Sequence, residues 1–169
     1  TGDDVTIDDA EGVDATVVLV SPVTIGSLSV GNLVSQQARL RVLSGLTVAR
    51  TIKVNKNGVL EINSGAAGVT SAGASVAGTL QFAAGTLMGN ATVTGKADFG
   101  GQAAKVFHNA NVEGSSTEDI VAGGSMQFKG SSTVTGKSKV VASGNNMQCI
   151  VMDKSTGNSF VSTGFAWRQ

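Results

Sequence analysis

The sequence predicts an all-β protein built as a single-stranded parallel β-helix, a β-solenoid with about 20 residues per coil. The first observation is a triplet of apolar, polar and apolar residues that recurs every 20 residues: Leu40-Arg41-Val42, Leu60-Glu61-Ile62 and Leu80-Gln81-Phe82. The second is the composition, because 23 glycines, 1 proline and 14% charged residues are typical of short strands joined by tight turns. A coil of a solenoid buries its apolar residues only against its neighbours, so a fixed period is its signature.

The triplets also predict which side chains face water. Successive side chains of a strand point to opposite faces, so the outer residues of each triplet face inward and the middle residue faces outward. Arg41, Glu61 and Gln81 should therefore form an outward column, with Arg41 and Glu61 as neighbours of opposite charge. At a wet surface such a pair contributes roughly 0.2–1 kcal/mol.

The N-terminal segment is predicted to form the first coil, or an acidic cap on it. Strand-like Val5-Thr6-Ile7 and Val17-Val18-Leu19-Val20 flank a turn, six of the 12 acidic residues lie in the first 14 positions, and no basic residue precedes Arg39. A solvated charged face is the first interpretation, since charges at a terminal coil discourage edge-to-edge aggregation. The alternative is a calcium site formed by Asp3, Asp4, Asp8 and Asp9, because calcium binds several carboxylate oxygens.

The central segment alternates in the same way. Val23-Thr24-Ile25 and Leu28-Ser29-Val30 are short strands with Gly26 and Gly31 at their corners, which suits a coil that turns every few residues. Leu46-Thr47-Val48 and Ile52-Lys53-Val54 show the same alternation. Asn57-Gly58 marks a turn and would also suit a two-residue β-hairpin. The 20-residue period favours the solenoid, because a hairpin predicts no such period.

The second half continues the repeat less regularly. Residues 64–79 consist mostly of Ser, Gly and Ala and are predicted to form a loop or a thin coil with a small-residue core. The phrase at 76–82 returns at 121–128, which predicts further coils to about residue 143 with an insertion at 102–119. Ile150-Val151-Met152 and Phe160-Val161 flank a turn-forming sequence and are predicted to form a hairpin. The predicted organisation is therefore a solenoid over 1–145 with an acidic N-terminal cap, and a C-terminal hairpin cap over 146–169.

Composition limits the possible partners and cofactors. A formal net charge of zero argues against a general nucleic-acid or anionic-membrane binder. No apolar run approaches the roughly 20 residues needed to cross a bilayer, so we expect no membrane insertion. The single cysteine, Cys149, excludes an intramolecular disulfide, and the single histidine, His108, excludes a zinc site with two histidines. Apart from calcium, no cofactor is predicted.

One group of acidic residues could support chemistry. Polysaccharide lyases and hydrolases built on parallel β-helices need clustered carboxylates on an exposed face. Glu113, Glu118 and Asp119, in the 102–119 insertion, are the candidates for such a site. The absence of Tyr and the single Trp argue against a long sugar-binding groove, so the prediction is a protein that is not an enzyme. Asn90-Ala91-Thr92 is an N-glycosylation sequon and matters only in a eukaryotic secreted protein.

The phrases Gly58-Val59-Leu60-Glu61-Ile62-Asn63-Ser64-Gly65 and Gly78-Thr79-Leu80-Gln81-Phe82 resemble those of parallel β-helix surface proteins, namely bacterial haemagglutinin-like and autotransporter passengers and phage tail-spike or fibre modules. The resemblance implies an extracellular or cell-surface location, or a virion tail or fibre. It also implies a rigid stalk or display platform without enzymatic activity, with recognition by the 64–79 and 102–119 loops. The expected partners are a glycan or cell-surface ligand, or further copies of the chain in an oligomer or fibre. The alternative function is a glycan-binding or polysaccharide-degrading spike.

Overall fold

The structure is a computed structural model that describes residues 2–8, 13–32 and 36–99, and beyond them a series of strands between residues 105 and 160. The described residues form strands and turns without a helix. Their strand pairings are parallel, and successive turns stack on one another. The protein is therefore the predicted all-β parallel β-solenoid, with about four turns between Asp4 and Ala91.

The strands lie in three ladders, and several long strands pass from one ladder to the next. The first ladder contains β1 (Asp4–Ile7), β4 (Ser27–Val30), the end of β6 (Gly45–Val54), the end of β7 (Gly58–Val76), β9 (Ala91–Val93), β12 (Asn111–Gly114), β15 (Thr133–Gly136) and β18 (Ser159–Phe160). The second contains β2 (Ala15–Leu19), β5 (Ala38–Val42), the start of β7, the start of β8 (Thr79–Met88), β10 (Lys96–Phe99), β13 (Ile120–Ala122) and β16 (Val140–Ala142). The third contains β3 (Val23–Ile25), the start of β6, the middle of β7, the end of β8, β11 (Lys105–His108), β14 (Ser125–Lys129) and β17 (Cys149–Met152).

The predicted register is present at the centre of the second ladder. Leu40 pairs with Leu60 and Leu60 with Leu80, so each of these two steps covers 20 residues. The step before them, from Val17 to Leu40, covers 23 residues, and the step after them, from Leu80 to Ala97, covers 17. The recurring triplet therefore marks the central turns, and the turns on either side differ in length.

The core is a stack of inward-facing aliphatic columns, one set for each ladder. These columns arise because every second residue of a strand points into the solenoid and packs on its equivalents above and below. The fully buried members with the largest volumes are Phe82, Phe99, Leu46, Ile52, Leu60, Ile62 and Leu80. The rings of Phe82 and Phe99 meet edge to face at a centroid distance of 6.2 Å, so the aromatic contact continues the apolar column from one turn to the next.

The corner between the first and second ladders depends on glycine. A Cβ atom added at Gly78 would overlap the carbonyl oxygen atoms of Gly58 and Asn55 in the turn beneath, so the backbone there approaches too closely for any side chain. Gly95 occupies the same corner one turn later, and a Cβ atom added there would overlap the carbonyl oxygen of Gly78.

The Asn57-Gly58 turn belongs to this corner as well. It leads from β6 into β7, which pair in parallel, so the alternative hairpin at this point is wrong.

The segment at 64–79 forms part of a solenoid turn with a small-residue core and is not a loop. Residues 64–76 continue β7, and Ala67 and Val69 are buried, at 2% and 0% exposure. Alanine and glycine can form a strand there because the backbone of the segment pairs with β6 on one side and with β8 and β9 on the other. Strands β11 and β12 likewise lie within the predicted 102–119 insertion and continue the third and first ladders.

The predicted C-terminal cap at 146–169 is described only at two strands. β17 pairs in parallel with β14, and β18 pairs in parallel with β15. The hairpin predicted between these strands stays a prediction, as do the boundaries of the two regions, because residues 153–158 lie outside the described residues.

Candidate functional site

A cluster of charged and amide side chains lies on the outer face of the second ladder. Three consecutive strands contribute to it, with Arg39 and Arg41 on β5, Glu61 and Asn63 on β7, and Gln81 on β8. Arg39 Nη1 donates to Glu61 Oε2 and to Gln81 Oε1, both at 2.8 Å. Asn63 Nδ2 donates to Glu61 Oε1 at 2.9 Å, and Arg41 Nε lies 3.0 Å from the same oxygen. We call this group the Glu61 cluster.

Glu61 is buried although it faces outward, because its neighbours cover it. The residue is 5% exposed, whereas the Arg39 and Arg41 side chains are 24% and 42% exposed. Burial alone would raise the pKa of Glu61, but the hydrogen bonds from Arg39 and Asn63 and the adjacent positive charge of Arg41 outweigh it and hold the pKa below the ordinary value of 4.5. Glu61 is thus ionised at neutral pH, and its oxygen atoms are engaged by protein groups.

The predicted column of Arg41, Glu61 and Gln81 is present in the register, but the prediction of a wet surface at Glu61 is wrong. Sequence reasoning also missed Arg39, which makes more hydrogen bonds in the cluster than Arg41. Arg39 is the outward residue that precedes Leu40, so extending the triplet by one position would have found it. The hydrogen bond from Arg39 to Gln81 crosses two turns of the stack, and no spacing rule predicts it.

A second polar face lies on the outside of the first ladder. The parallel register stacks Thr6, Ser29, Lys53, Ser75 and Thr92 in one column, and Glu113 of β12 and Thr135 of β15 occupy the next positions of the backbone register. We call the five residues from Thr6 to Thr92 the first-ladder column. Neighbouring strands of a sheet lie about 4.8 Å apart, so the column presents one polar side chain at each such step.

The first-ladder column differs from the Glu61 cluster in the state of its polar groups. Thr6, Lys53, Ser75 and Thr92 are exposed, and their side chains make no hydrogen bond or ion pair with other residues in the described part of the chain. Only Ser29 accepts a hydrogen bond, from Asn55 Nδ2 at 3.4 Å. The column therefore offers a ligand hydroxyl groups and one ammonium group that, apart from Ser29, are not engaged by other described residues.

Two of the four aspartates of the predicted calcium site, Asp4 and Asp8, have separate side-chain partners in the structure. Asp4 pairs with Arg50, whose Nε also donates to Ser27 Oγ at 3.0 Å. Asp8 Oδ2 accepts a hydrogen bond from Asn32 Nδ2 at 2.5 Å. Asp3 is exposed, and Asp9 lies outside the described residues. No group of three or more His, Cys, Asp or Glu residues that could hold a metal occurs among the described residues, and the calcium site stays a prediction.

Only some residues of the predicted carboxylate site and the glycosylation sequon lie in the described part of the chain. Glu113 lies on β12, where it pairs with Thr92 and Thr135 in the register. Glu118 and Asp119 lie outside the described residues, so the structure does not show whether the three carboxylates meet. Asn90 of the sequon is exposed and immediately precedes β9, and its carbonyl oxygen accepts a hydrogen bond from the Ala74 N–H at 2.8 Å. Binding and glycosylation at these residues stay predictions.

The strand pairing defines the class of this protein as a parallel β-solenoid. Beyond that class, no family model matches the chain, and neither a search of curated proteins nor one of solved structures finds a match. In the described part of the chain, no helix has the length and hydropathy of a membrane span.

Proposed function

We propose that this chain is a non-enzymatic structural and adhesion module, a rigid solenoid that presents the first-ladder column to a glycan or other cell-surface ligand. The observation that carries the proposal is the column itself: exposed polar groups, most of them hydroxyls, at regular spacing on a continuous parallel ladder. Such an array suits hydroxyl-rich ligands, because Ser and Thr donate and accept hydrogen bonds at little cost in side-chain entropy.

Rigidity supports this function. Each central turn is bonded to the turns on both sides, and a buried aliphatic core runs through the stack, so the outer side chains keep fixed relative positions. A ligand that bridges several turns then binds without ordering a loop, which spares the usual entropic cost of recognition. The finding that 64–76 is strand moves the expected recognition surface from a loop to the lateral faces.

The Glu61 cluster is a weaker candidate for the attachment surface. The oxygen atoms of Glu61 and Gln81 already accept hydrogen bonds from Arg39 or Asn63, and Glu61 is also paired with Arg41, so a ligand would have to compete with those contacts. Its role is structural, because it ties three consecutive turns together.

We place the protein outside the cell, on a cell surface or in a virion fibre, because its repeats resemble those of parallel β-helix surface proteins.

A glycan array with a pair of matched variants tests the proposal. Lys53→Ala combined with Ser75→Ala removes two groups of the column and should weaken binding to any glycan hit about tenfold or more, since each lost hydrogen bond costs about 0.5–1.5 kcal/mol. Thr47→Ala combined with Thr70→Ala is the control, because these threonines are register partners on the outside of the third ladder. An equal loss in both variants, or no glycan bound by the wild-type chain, would refute attachment through this face.

Release of reducing sugar from each hit tests the non-enzymatic part. The expected result is binding without turnover. Turnover that disappears when Glu113, Glu118 and Asp119 are replaced by alanine would overturn the proposal in favour of the polysaccharide-degrading spike.

A further inference from the structure

Lys53 lies at the centre of the first-ladder column, between two serines. Its register partners are Ser29 on the turn before it and Ser75 on the turn after it. Neighbouring strands lie about 4.8 Å apart, so both hydroxyl groups are close to the Lys53 side chain. Ser29 Oγ accepts a hydrogen bond from Asn55 Nδ2 at 3.4 Å, and its own hydrogen has no acceptor among the described residues. Lys53, Ser29 and Ser75 therefore present one ammonium group and two hydroxyl donors on the same outer face.

The charge of Lys53 is not compensated within the part of the chain that the structure describes. Its side chain is exposed and forms no ion pair there. The acidic residues on the described strands of the first ladder are Asp4, which is paired with Arg50, and Glu113. In the register they lie two and three turns from Lys53, which is roughly 10 and 14 Å at about 4.8 Å for each turn. Both separations exceed the screening length of about 8 Å at physiological ionic strength, so the ammonium group is available to an anionic ligand.

Gly73 leaves space beside Lys53 on the outer face. It precedes Ser75 by two residues on the same strand, so the two positions face the same side. Its register partner is Thr51, which precedes Lys53 in the same way. A Cβ atom added at Gly73 would meet nothing within 4 Å. A group as large as a carboxylate or a sulfate can therefore approach the ammonium group over Gly73 without displacing a side chain.

We propose that the ligand of the first-ladder column is an acidic glycan, with a carboxylate or sulfate group of one sugar bound to Lys53 Nζ and to the hydroxyl groups of Ser29 and Ser75. The inference rests on the proposed function and adds the chemical class of the ligand to it. Hydrogen bonds between charged groups are about twice as strong as those between neutral groups, so the ammonium group favours an acidic sugar over a neutral one. The hydroxyl groups on either side donate to the remaining oxygen atoms of the anion.

Affinity electrophoresis with paired acidic and neutral polysaccharides tests the inference. Polygalacturonate and its methyl ester differ in the carboxylate charge, and dextran sulfate and dextran differ in the sulfate group, so the two pairs distinguish the two anions. We expect the wild-type chain to bind at least one acidic polymer more than about tenfold more tightly than its neutral counterpart. The preference should diminish in high salt, because the attraction between the anion and Lys53 is screened.

Three variants locate the preference. Lys53→Met keeps the apolar stem and removes the charge, and it should lower the affinity for the acidic polymer more than about tenfold. Gly73→Glu leaves Lys53 in place but puts a carboxylate on a diagonal neighbour, about 7–8 Å away and within reach of long side chains, and should have the same effect. Lys96→Met is the matched control, because it removes an exposed lysine of the second ladder, and it should bind like the wild type. Circular dichroism checks that the variants remain folded.

The possible results separate this inference from the proposed function. An equal loss in Lys53→Met and Lys96→Met, or single-stranded DNA bound as tightly as the acidic polymer, would show general attraction to polyanions and overturn the inference. Equal affinity for acidic and neutral polymers would also overturn it, while the proposed attachment would stand if Lys53→Ala combined with Ser75→Ala still weakened binding. A wild-type chain that binds no glycan at all would refute the proposed function and the inference with it.

Discussion

Glu61 shows how an outward residue becomes part of the interior of a narrow solenoid. Side chains on successive turns lie about 4.8 Å apart, so long side chains above and below a carboxylate can cover it. Arg39 and Arg41 on one side and Gln81 on the other lie next to Glu61, and the arginines that exclude water from it also supply hydrogen-bond donors and positive charge. The ion pair therefore contributes to turn-to-turn register more than an exposed pair would.

Replacement of Glu61 by glutamine should destabilise the protein by about 1–3 kcal/mol, because both arginines lose their counter-ion while the shape is kept. Urea unfolding followed by circular dichroism measures the change. Asp3→Asn, at an exposed carboxylate, is the control and should change the free energy of unfolding by less than about 0.5 kcal/mol. Equal effects of the two variants would show that the Glu61 cluster is unimportant for stability.

Stability should also depend on pH through Glu61. Its pKa is lower in the folded protein than the ordinary value of 4.5, so the unfolded chain binds the proton more readily. The contribution of Glu61 is therefore fully present at pH values above about 4.5 and is lost as the pH falls through the folded-state pKa. Thermal unfolding of the wild type and of Glu61→Gln between neutral and acidic pH tests this. The difference in stability between them should shrink as the pH falls, and a constant difference would contradict it.

At the scale of the strands, glycine decides where the chain can turn. Gly89 follows β8 with a φ of 101°, a region that side chains disfavour, and a Cβ atom there would overlap the Ser71 carbonyl oxygen. Both effects arise because the third ladder must turn into the first within two residues, at Gly89 and Asn90, before β9 begins. The strand before the turn and the strand after it each pair with β7, so the corner has little freedom to move.

Gly89→Ala should therefore cost about 1–3 kcal/mol of folding free energy. Gly65→Ala is the matched control, since a Cβ atom at Gly65 meets nothing within 4 Å and its φ lies outside the left-handed region. The control should be neutral or slightly stabilising, because alanine reduces the entropy of the unfolded chain. Denaturant midpoints of the two variants compare them directly, and an equal loss would show that the corner tolerates a side chain.

At the scale of the whole molecule, the sequence predicts the fold class where apolar residues are large and regular. Leu40, Leu60 and Leu80 mark the central ladder because aliphatic side chains must stack to leave water. The strand over 64–76 could not be predicted in this way, because its inward positions include alanine and its partners in β6 and β8 are separated from it in sequence. Backbone pairing with the neighbouring turns outweighs the weak local preference of Gly, Ala and Ser for the β-strand conformation.

The candidate site was less predictable than the fold for a related reason. The first-ladder column joins Thr6 to Thr92, and its members come from turns of unequal length, so no fixed period in the sequence reveals it. Burial of Glu61 depends on the side chains of Arg39 and Gln81 from the turns on either side. Both features are properties of stacked turns and not of any one strand.

A disulfide between two adjacent turns provides a direct test of the register in which the turns stack. In a Cys149→Ser background, Thr47→Cys and Thr70→Cys place two thiols at register partners on the outside of the third ladder. Adjacent strands lie about 4.8 Å apart, within the Cα separation that a disulfide requires. We expect rapid oxidation to an intramolecular disulfide.

The control pair is Thr47→Cys with Ala72→Cys, since position 72 is exposed as well. Little disulfide should form in this pair, because position 72 lies two residues beyond the register partner of Thr47. Equal cross-linking of both pairs, or none in the first, would contradict the solenoid.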